Sequence, residues 1–569
     1  MTTQNVASSD YRLIRFLALP ILLTLAVGYG VVGNATSEPQ EQAEEHELSA
    51  GERIYRYGIL PSGKAVTGFS QGDVPLSGAE LACENCHRRS GLGSSEGSSV
   101  VPPITWPGLF SKRENQQRLA FQSRSLSSQE RPAYTTELLA RAIRSGQDSA
   151  GNELDLLMPR YEMSDLEIGD LSEYLKGLSR TLPPGVTDTH MHFATIISPD
   201  VDPSARAKML EVFEAFVRDK NAETRNESRR SARGVYFRDF AQQSYRKWVL
   251  HTWELKGERD DWPRQLAELY ASNPVFAVLS GIVEGNWQPV HEFCEAQKLP
   301  CLFPITDQPV PGGTDFYTIY VHEGLPRHAK ALREYLTELP PDESSRPILQ
   351  VFRPDSTGAT MARWVREYAG ISKENLREIV LEENGSPADV LWSDLMKEHS
   401  PSVILAWLPV SDIRQLNSSR IDGLVQPKII ASDLVSGPDV FHLSGSLLDS
   451  QLSVLSLFDM SKKRDQGLLR LRAWLKSRGF SLTNERVQAD SYLASLLVGS
   501  AVKHMRGNFS REYLIERIEH GLDNTVFRSV YPRLSLGPNQ RFASKECLLL
   551  RPSEEDPQLW IPEDATRIR

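Results

Sequence analysis

At 569 residues the chain exceeds the roughly 100 to 200 residues of one ordinary domain, so two or more folded units are expected. Hydrophobic residues at 40% and charged residues at 24% are globular proportions, which exclude a wholly disordered, collagen-like or multispan membrane protein. A formal net charge of -10, with no basic run interleaved with aromatics, gives no general attraction to phosphate backbones and argues against a nucleic-acid partner. Five cysteines are too few for a disulfide scaffold, so their positions carry the information.

In chain order, Arg12 and Arg15 precede an apolar run from Phe16 to Val32, and Gly33-Asn34-Ala35 supplies the small residues of a cleavage site. Residues 1–35 therefore read as a signal peptide that exports the remainder, to the periplasm. The alternative is an uncleaved anchor in the cytoplasmic membrane, because the run reaches the lower limit of the roughly 17 to 25 residues that span a bilayer; Pro20, Gly28 and Gly30 weaken such a helix. Residues 36–50 begin acidic and almost without apolar side chains, which reads as a flexible spacer.

Cys83-Glu84-Asn85-Cys86-His87 is a C-x-x-C-H motif, the spacing that lets two thiols reach the two vinyl groups on one porphyrin edge while the adjacent imidazole lies beneath the iron. The Gly-, Ser- and Pro-rich flanks do not suit a thioredoxin-like redox dithiol, and there is no nearby second ligand pair for zinc. A haem that only transfers electrons needs a sixth ligand, and Met158, followed by Pro159, sits on a loop before the capped helix that opens at Ser164-Asp165-Leu166-Glu167. Met163 is the competing thioether. Helices are expected from Gly51 to Tyr57, from Thr135 to Ser145, and from Ser164 to Leu178 with an apolar stripe of Leu171, Tyr174, Leu175 and Leu178.

On these residues the stretch 51–180 resembles a class I c-type cytochrome. The resemblance implies an all-α fold and one covalent haem c, tethered by Cys83 and Cys86 and ligated axially by His87 and Met158. It also implies a proline carbonyl that fixes the proximal imidazole. Pro102 or Pro103 is the matching position, with Pro103 the one assigned. Arg88 and Arg89 read as solvated surface or as steering charges for an acidic redox partner.

Thr181 to Thr189 is a breaker-rich stretch around Pro183-Pro184-Gly185, a short stiff linker. From 190 to 569 strand-like runs alternate with helical periodicity: strands at His192–Ile197, Gly234–Phe237, Val275–Ser280, Cys301–Pro304, Phe316–Val321, Ile348–Phe352, Arg377–Leu381, Val403–Leu408 and Lys428–Ala431. The helices between them are near Ala205–Val217, Trp287–Gln297, Thr357–Tyr368 and Asp389–Glu398. Such alternation demands parallel sheets covered on both faces, and the length suits two lobes.

The strand Phe276 to Gly281, the following Lys298-Leu-Pro300-Cys-Leu-Phe-Pro304, the turn Arg353-Pro-Asp355-Ser-Thr-Gly358 and the late helices Ala489–Met505 and Ser510–His520 resemble a type I periplasmic binding protein of the leucine/isoleucine/valine-binding group. That family grips an amino acid between its lobes. The positions matching its gripping residues are Glu284 and Asn286 after one strand, Thr306 after the next, Trp407 and Asp433 in the second lobe. A carboxylate, Glu284, where hydroxyls are expected, together with Asp433 where the family has a glutamate, points to a neutral or cationic small molecule, not necessarily an amino acid. Cys294 and Cys301 fall at the end of a helix and the start of the next strand, within disulfide range, and an oxidising periplasm favours the bond.

The expected architecture is thus an all-α cytochrome unit followed by a two-lobed α/β receptor. The expected function is single-electron transfer with a periplasmic dehydrogenase or another cytochrome, coupled to or tethered with solute binding; the alternative is a solute receptor of a transport or dehydrogenase system with an accessory haem. No nucleophile, base and orienter set is readable, so hydrolysis is not expected; an enzymatic reading, a haem peroxidase, requires an open iron position and therefore a non-ligating Met158.

Overall fold

The computed structural model describes residues 48–568 apart from 97–98, 113–130, 232–244, 311–314, 383–384, 386–396, 417–426, 444–450, 461, 506, 525–528 and 557–558. The expected signal peptide, nearly all of the acidic spacer, the strand expected at Gly234–Phe237 and most of the helix expected at Asp389–Glu398 lie outside the described residues. Among the described residues no helix is long and apolar enough to cross a membrane.

The first helix, α1 (Ala50–Tyr57), opens where the Ser49 hydroxyl accepts from the Glu52 N–H at 3.1 Å and stops at Gly58, whose φ of 63° is the left-handed conformation that glycine takes without a Cβ penalty. It crosses α5 (Asp165–Gly177) at Gly51, where an added Cβ would meet the Asp170 carbonyl oxygen at 2.2 Å. Any larger residue there pushes the helices apart. The capping box expected at Ser164 and Glu167 is formed. Between these helices stand the one-turn α2 (Glu84–His87), the one-turn α3 (Trp106–Leu109) and α4 (Thr136–Ser145). Ile54, Tyr55, Leu81, Ile143, Ile168, Leu171 and Leu175 close one apolar core among them.

This unit is not all-α. The strands β1 (Thr67–Ser70) and β2 (Val74–Ser77) form an antiparallel hairpin, followed by the short pair β3 (Ser95–Glu96) and β4 (Ser99–Val100). β5 (Arg160–Glu162), emerging from the Met158 loop, adds to β1 as a third antiparallel strand. The pattern is too short for strand periodicity to stand out in the sequence; Gly68 lets the backbones of β1 and β5 meet, since a Cβ there would lie 2.3 Å from the Arg160 oxygen.

The expected linker folds onto the next layer. Val186 is buried, the His192 N–H donates to the Gly185 carbonyl, and a Cβ at Gly185 (φ 85°) would meet the Phe276 nitrogen at 2.1 Å. The breakers expected to make a stiff linker lay the backbone flat against a strand. From Ser49 to Arg569 the chain packs as one compact unit.

The first lobe is a five-stranded sheet in the order β10-β9-β8-β6-β7, parallel throughout: β6 (His190–Ile197), β7 (Lys247–Glu254), β8 (Ala277–Ile282), β9 (Cys301–Leu302) and β10 (Thr318–Ile319). Its helices are α6 (Pro203–Ser231), α7 (Trp262–Ser272) and α8 (Gln288–Ala296). One face buries Phe193, Met209, Phe213 and Phe276; the other buries Trp253, Trp262 and Trp287. Each fully buried aromatic contributes on the order of 2 to 3 kcal/mol of apolar transfer. β7 is a strand that the periodicity did not reveal, and α6 runs fourteen residues past the expected end at Val217.

Among the described residues the second lobe has seven strands in the order β12-β11-β13-β14-β15-β16-β17. β11 (Ile348–Phe352), β12 (Leu376–Val380), β13 (Val403–Trp407), β14 (Lys428–Ser432) and β15 (Leu452–Ser456) are parallel, whereas β16 (Cys547–Pro552) and β17 (Trp560–Ile568) return antiparallel. The sheet is therefore mixed, not wholly parallel as expected. Its helices include α9 (Leu325–Thr337), the short α10 (Pro341–Ser344), α11 (Thr357–Tyr368), α12 (Val410–Leu416), the short α13 (Asp433–Ser436) and α14 (Lys462–Lys476). The late helices α15 (Glu485–His504) and α16 (Arg511–Asn524) pack on the first lobe, α15 against α6 and β8, and α16 against α15.

Cys294 and Cys301 are not bonded but stand as free thiols, each with no exposed surface. Cys301 is held in the parallel ladder between β8 and β10, and both sulfurs pack as small apolar groups in the Trp262 and Trp287 core, with the Cys301 thiol adjacent to that of Cys294. Burial first, then this neighbour, pushes the Cys294 pKa up, away from the reactive thiolate. Both thiols are expected to resist alkylation in the folded protein and to react completely, without reductant, once guanidinium unfolds it; peptide mass spectrometry reads the result.

Candidate functional site

The Cys83 to His87 segment is a single helical turn, with Cys83 at its N-cap and His87 at its end. His87 is buried, and its Nδ1 lies 3.0 Å from the Pro102 carbonyl oxygen. A carbonyl only accepts, so Nδ1 carries the proton and the Nε2 lone pair is the one that faces a metal. Burial holds the imidazole neutral, its pKa lowered to about 4. The acceptor is Pro102 and not Pro103: the Pro103 carbonyl is turned into the α3 turn, where a Cβ at Gly108 would meet its oxygen at 2.8 Å.

Cys83 and Met158 both border the core of this unit, Cys83 hydrogen-bonded to the Tyr161 hydroxyl and Cys86 exposed. Met158 is half-buried on its loop, whereas Met163 is buried among the core side chains while its carbonyl accepts from Arg144 Nε at 2.8 Å. Two thiols on one turn, an imidazole with its outer nitrogen already bonded, and a thioether on a loop form a donor set that fits a covalent haem c. Among the described residues no group of three or more His, Cys, Asp or Glu is placed to hold a bare metal ion.

The segment after His87 does not face solvent as steering charge. The Arg89 guanidinium lies 4.0 Å over the Phe316 ring and 5.3 Å over Tyr317, and the Ser90 N–H and hydroxyl donate to the two Glu516 oxygens at 2.8 and 2.7 Å. The haem-motif unit is thereby fastened to the first lobe.

A second polar cluster gathers past the carboxyl ends of the parallel strands, where ligands of open α/β sheets bind. Arg486 on α15 pairs with Asp307, and the Tyr531 hydroxyl donates to Asp490 at 2.7 Å. Asp433, following β14, accepts from the Ser456 hydroxyl at 2.6 Å, and its other oxygen lies 3.8 Å from His328 Nε2; His328 Nδ1 is 2.9 Å from the Ser432 hydroxyl. Asp433 Oδ1, His328 Nε2 and Arg486 Nε are buried without a hydrogen-bond partner among the described residues. Burial raises the pKa of Asp433 to about 7 and of Asp490 to about 6, and lowers His328 and His322 to about 3.

The expected cleft residues divide. Glu284 is pushed up by burial and then by Asp307, the same carboxylate that acts on Asp433, so these two acids share one electrostatic neighbourhood. Thr306 and Asn286 brace the loop instead: the Thr306 hydroxyl donates to the Gly285 carbonyl at 3.0 Å, and Asn286 Oδ1 accepts from the Gln288 N–H at 2.8 Å at the start of α8. Trp407 is a core side chain of the second lobe, its indole N–H donating to Gln350 Oε1 at 3.2 Å, and it does not line the cleft. Sequence reading missed His328, Arg486 and Asp490; the available signal was charge inside the otherwise apolar run of α15.

No family model and no curated protein matches the chain. Solved structures of similar shape include a leucine-binding protein LivK from Thermotoga maritima, 12% identical over 66% of this chain and 97% of that one with a TM-score of 0.44. A putative branched-chain amino acid ABC transporter from Rhodospirillum rubrum is 14% identical over 64% of this chain and 99% of that one, TM-score 0.45. A branched-chain amino acid ABC transporter from Thermus thermophilus with bound valine is 10% identical over 66% and 96%, TM-score 0.45.

Proposed function

We propose that this protein is an exported, two-lobed solute receptor of the type I periplasmic-binding-protein kind that carries a covalently attached haem c. The observation that supports the receptor reading most is the buried, incompletely paired cluster of Asp433, His328 and Arg486 past the strand ends. Buried polar atoms without partners cost roughly 1 to 3 kcal/mol each, a cost that a bound solute offsets by hydrogen bonding to them. The solute is a small neutral or cationic molecule, for which Glu284 and Asp433 suit better than they suit the carboxylate end of an amino acid.

The second reading, single-electron transfer with a periplasmic dehydrogenase or cytochrome, is favoured by the His87 to Pro102 hydrogen bond. Haem c held by Cys83, Cys86, His87 and Met158 supplies one-electron redox chemistry when bound. The chain's part is to keep His87 in the metal-binding tautomer and to bury it.

Both readings meet in one experiment: native mass spectrometry of the protein isolated from a haem-c-maturing periplasm, with the retained small molecules identified after denaturation. A covalent mass increment of one haem and a co-purifying solute lost in Asp433→Asn are expected. A haem without any solute, for wild type and across a calorimetric panel of amino acids, amines and polyols, leaves electron transfer alone.

A further inference from the structure

We propose that Glu516 is a positioning residue through which the first lobe sets the geometry of the haem-attachment segment. The inference rests on the haem reading above and adds what that reading does not contain, a route from the receptor to the proximal side.

Three successive residues after His87 are gripped by three different partners. The Arg88 carbonyl accepts from the Tyr55 hydroxyl at 2.6 Å, Arg89 lies on Phe316, and Ser90 gives both its backbone N–H and its hydroxyl to Glu516. Ser90 is itself buried, so these are not surface contacts of convenience. Arg88 among them has φ 62° and ψ 169°, a conformation that strains a non-glycine residue and persists only where its surroundings over-determine it. Tyr55 belongs to the haem-motif unit, but Phe316 and Glu516 belong to the first lobe. The strain at Arg88, one residue from the imidazole, is therefore held partly by the receptor.

Among the described residues Glu516 accepts hydrogen bonds from Ser90 alone and forms no ion pair, so its carboxyl has no second structural duty there. It sits on α16, which packs on α15, and α15 carries Arg486 and Asp490 of the interlobe cluster. A solute that moves α15 moves α16, and α16 pulls on Ser90. Linkage makes the effect reciprocal: whatever solute binding does to the reduction equilibrium, reduction does to solute affinity.

The test compares Glu516→Ala, Glu516→Gln and Ser90→Ala in the full chain by redox titration and by electron paramagnetic resonance of the oxidised protein. Glu516→Ala removes the grip, and the oxidised-to-reduced ratio at a fixed poise is expected to change about fivefold, the size that releasing one strained residue allows. The low-spin g values should move with it. Glu516→Gln keeps an acceptor for the N–H and a donor for the hydroxyl, and is expected to restore both readouts; Ser90→Ala should shift them in the same direction by less. Unchanged potential and g values in Glu516→Ala overturn the proposal, as does a Gln variant that shifts the potential as far as Ala, which marks a charge effect and not positioning. Wild-type protein without covalent haem overturns the haem reading and the proposal with it, and is seen before any variant is made.

Discussion

Replacing both Cys83 and Cys86 by alanine is expected to abolish covalent haem altogether, so that a denaturing gel of the exported protein shows no haem stain where the wild type shows one band. The fold should survive, because the turn at 83–87 is held by bonds that do not use the thiols: His87 Nδ1 to Pro102, the Gly93 N–H to the His87 carbonyl at 2.9 Å, and Tyr55 to the Arg88 carbonyl. The solute site should remain formed, since the Asp433 cluster draws on none of these residues. In the same background of intact cysteines, Met158→Ala is expected to remove the sulfur-to-iron absorption of the oxidised protein while Met163→Ala leaves it. Met163 is part of the core and its loss costs stability, on the order of 2 kcal/mol or more, without touching the spectrum. The reverse pattern would reassign the ligand.

Stability is expected to fall as pH rises from about 6.5 to about 8, and Glu516→Gln is expected to remove much of that fall. Burial raises the Glu516 pKa to about 8, against about 4.3 for an unfolded glutamate. Between those values the folded state binds the extra proton, so the contribution is full below the unfolded pKa and is lost as pH climbs through the folded one. His322 and His328 act in the opposite sense. Their folded pKa values are lowered to about 3, so they gain stability as pH rises, but that gain is complete by about 6.5. Below pH 6.5 the histidines and the raised carboxyls Glu516, Asp433 and Asp490 oppose one another; above it only the carboxyls still titrate. The Glu516 share of the fall between pH 6.5 and 8 is at most about 2 kcal/mol, from about 1.4 kcal/mol per unit. Guanidinium melts of wild type and variant at half-unit steps decide it, and parallel curves above pH 6.5 would show that Glu516 carries no such load.

Much of the molecule was legible in the residues. The turn from Cys83 to His87 needs only five neighbours in sequence, and the capping box at Ser164 and Glu167 is equally local, so both are legible from spacing alone. The strands Ile348–Phe352 and Val403–Trp407 are continuous apolar runs buried on both faces, and the helix Thr357–Tyr368 has a clean apolar stripe, so their bounds came out nearly as read. Strand and helix alternation likewise determined two doubly wound lobes, because only a parallel sheet covered on both sides uses that pattern.

What the residues alone left open were the contacts between parts distant in the chain. Pro102 and Pro103 are indistinguishable in sequence, and the α3 turn, by engaging the Pro103 carbonyl, leaves Pro102 to His87. Arg89 and Ser90 look like ordinary surface until Phe316 and Tyr317 take the one and Glu516 of α16, more than 400 residues later, takes the other. Trp407 ends β13 and Asp433 follows the neighbouring β14, yet packing put one in the core and the other in the interlobe cluster with His328 and Arg486. Local periodicity specifies which residues are buried; which buried residues meet is decided by how the sheets and late helices stack, because a polar pair gains its stabilising or functional value only from partners that the tertiary fold brings within about 4 Å.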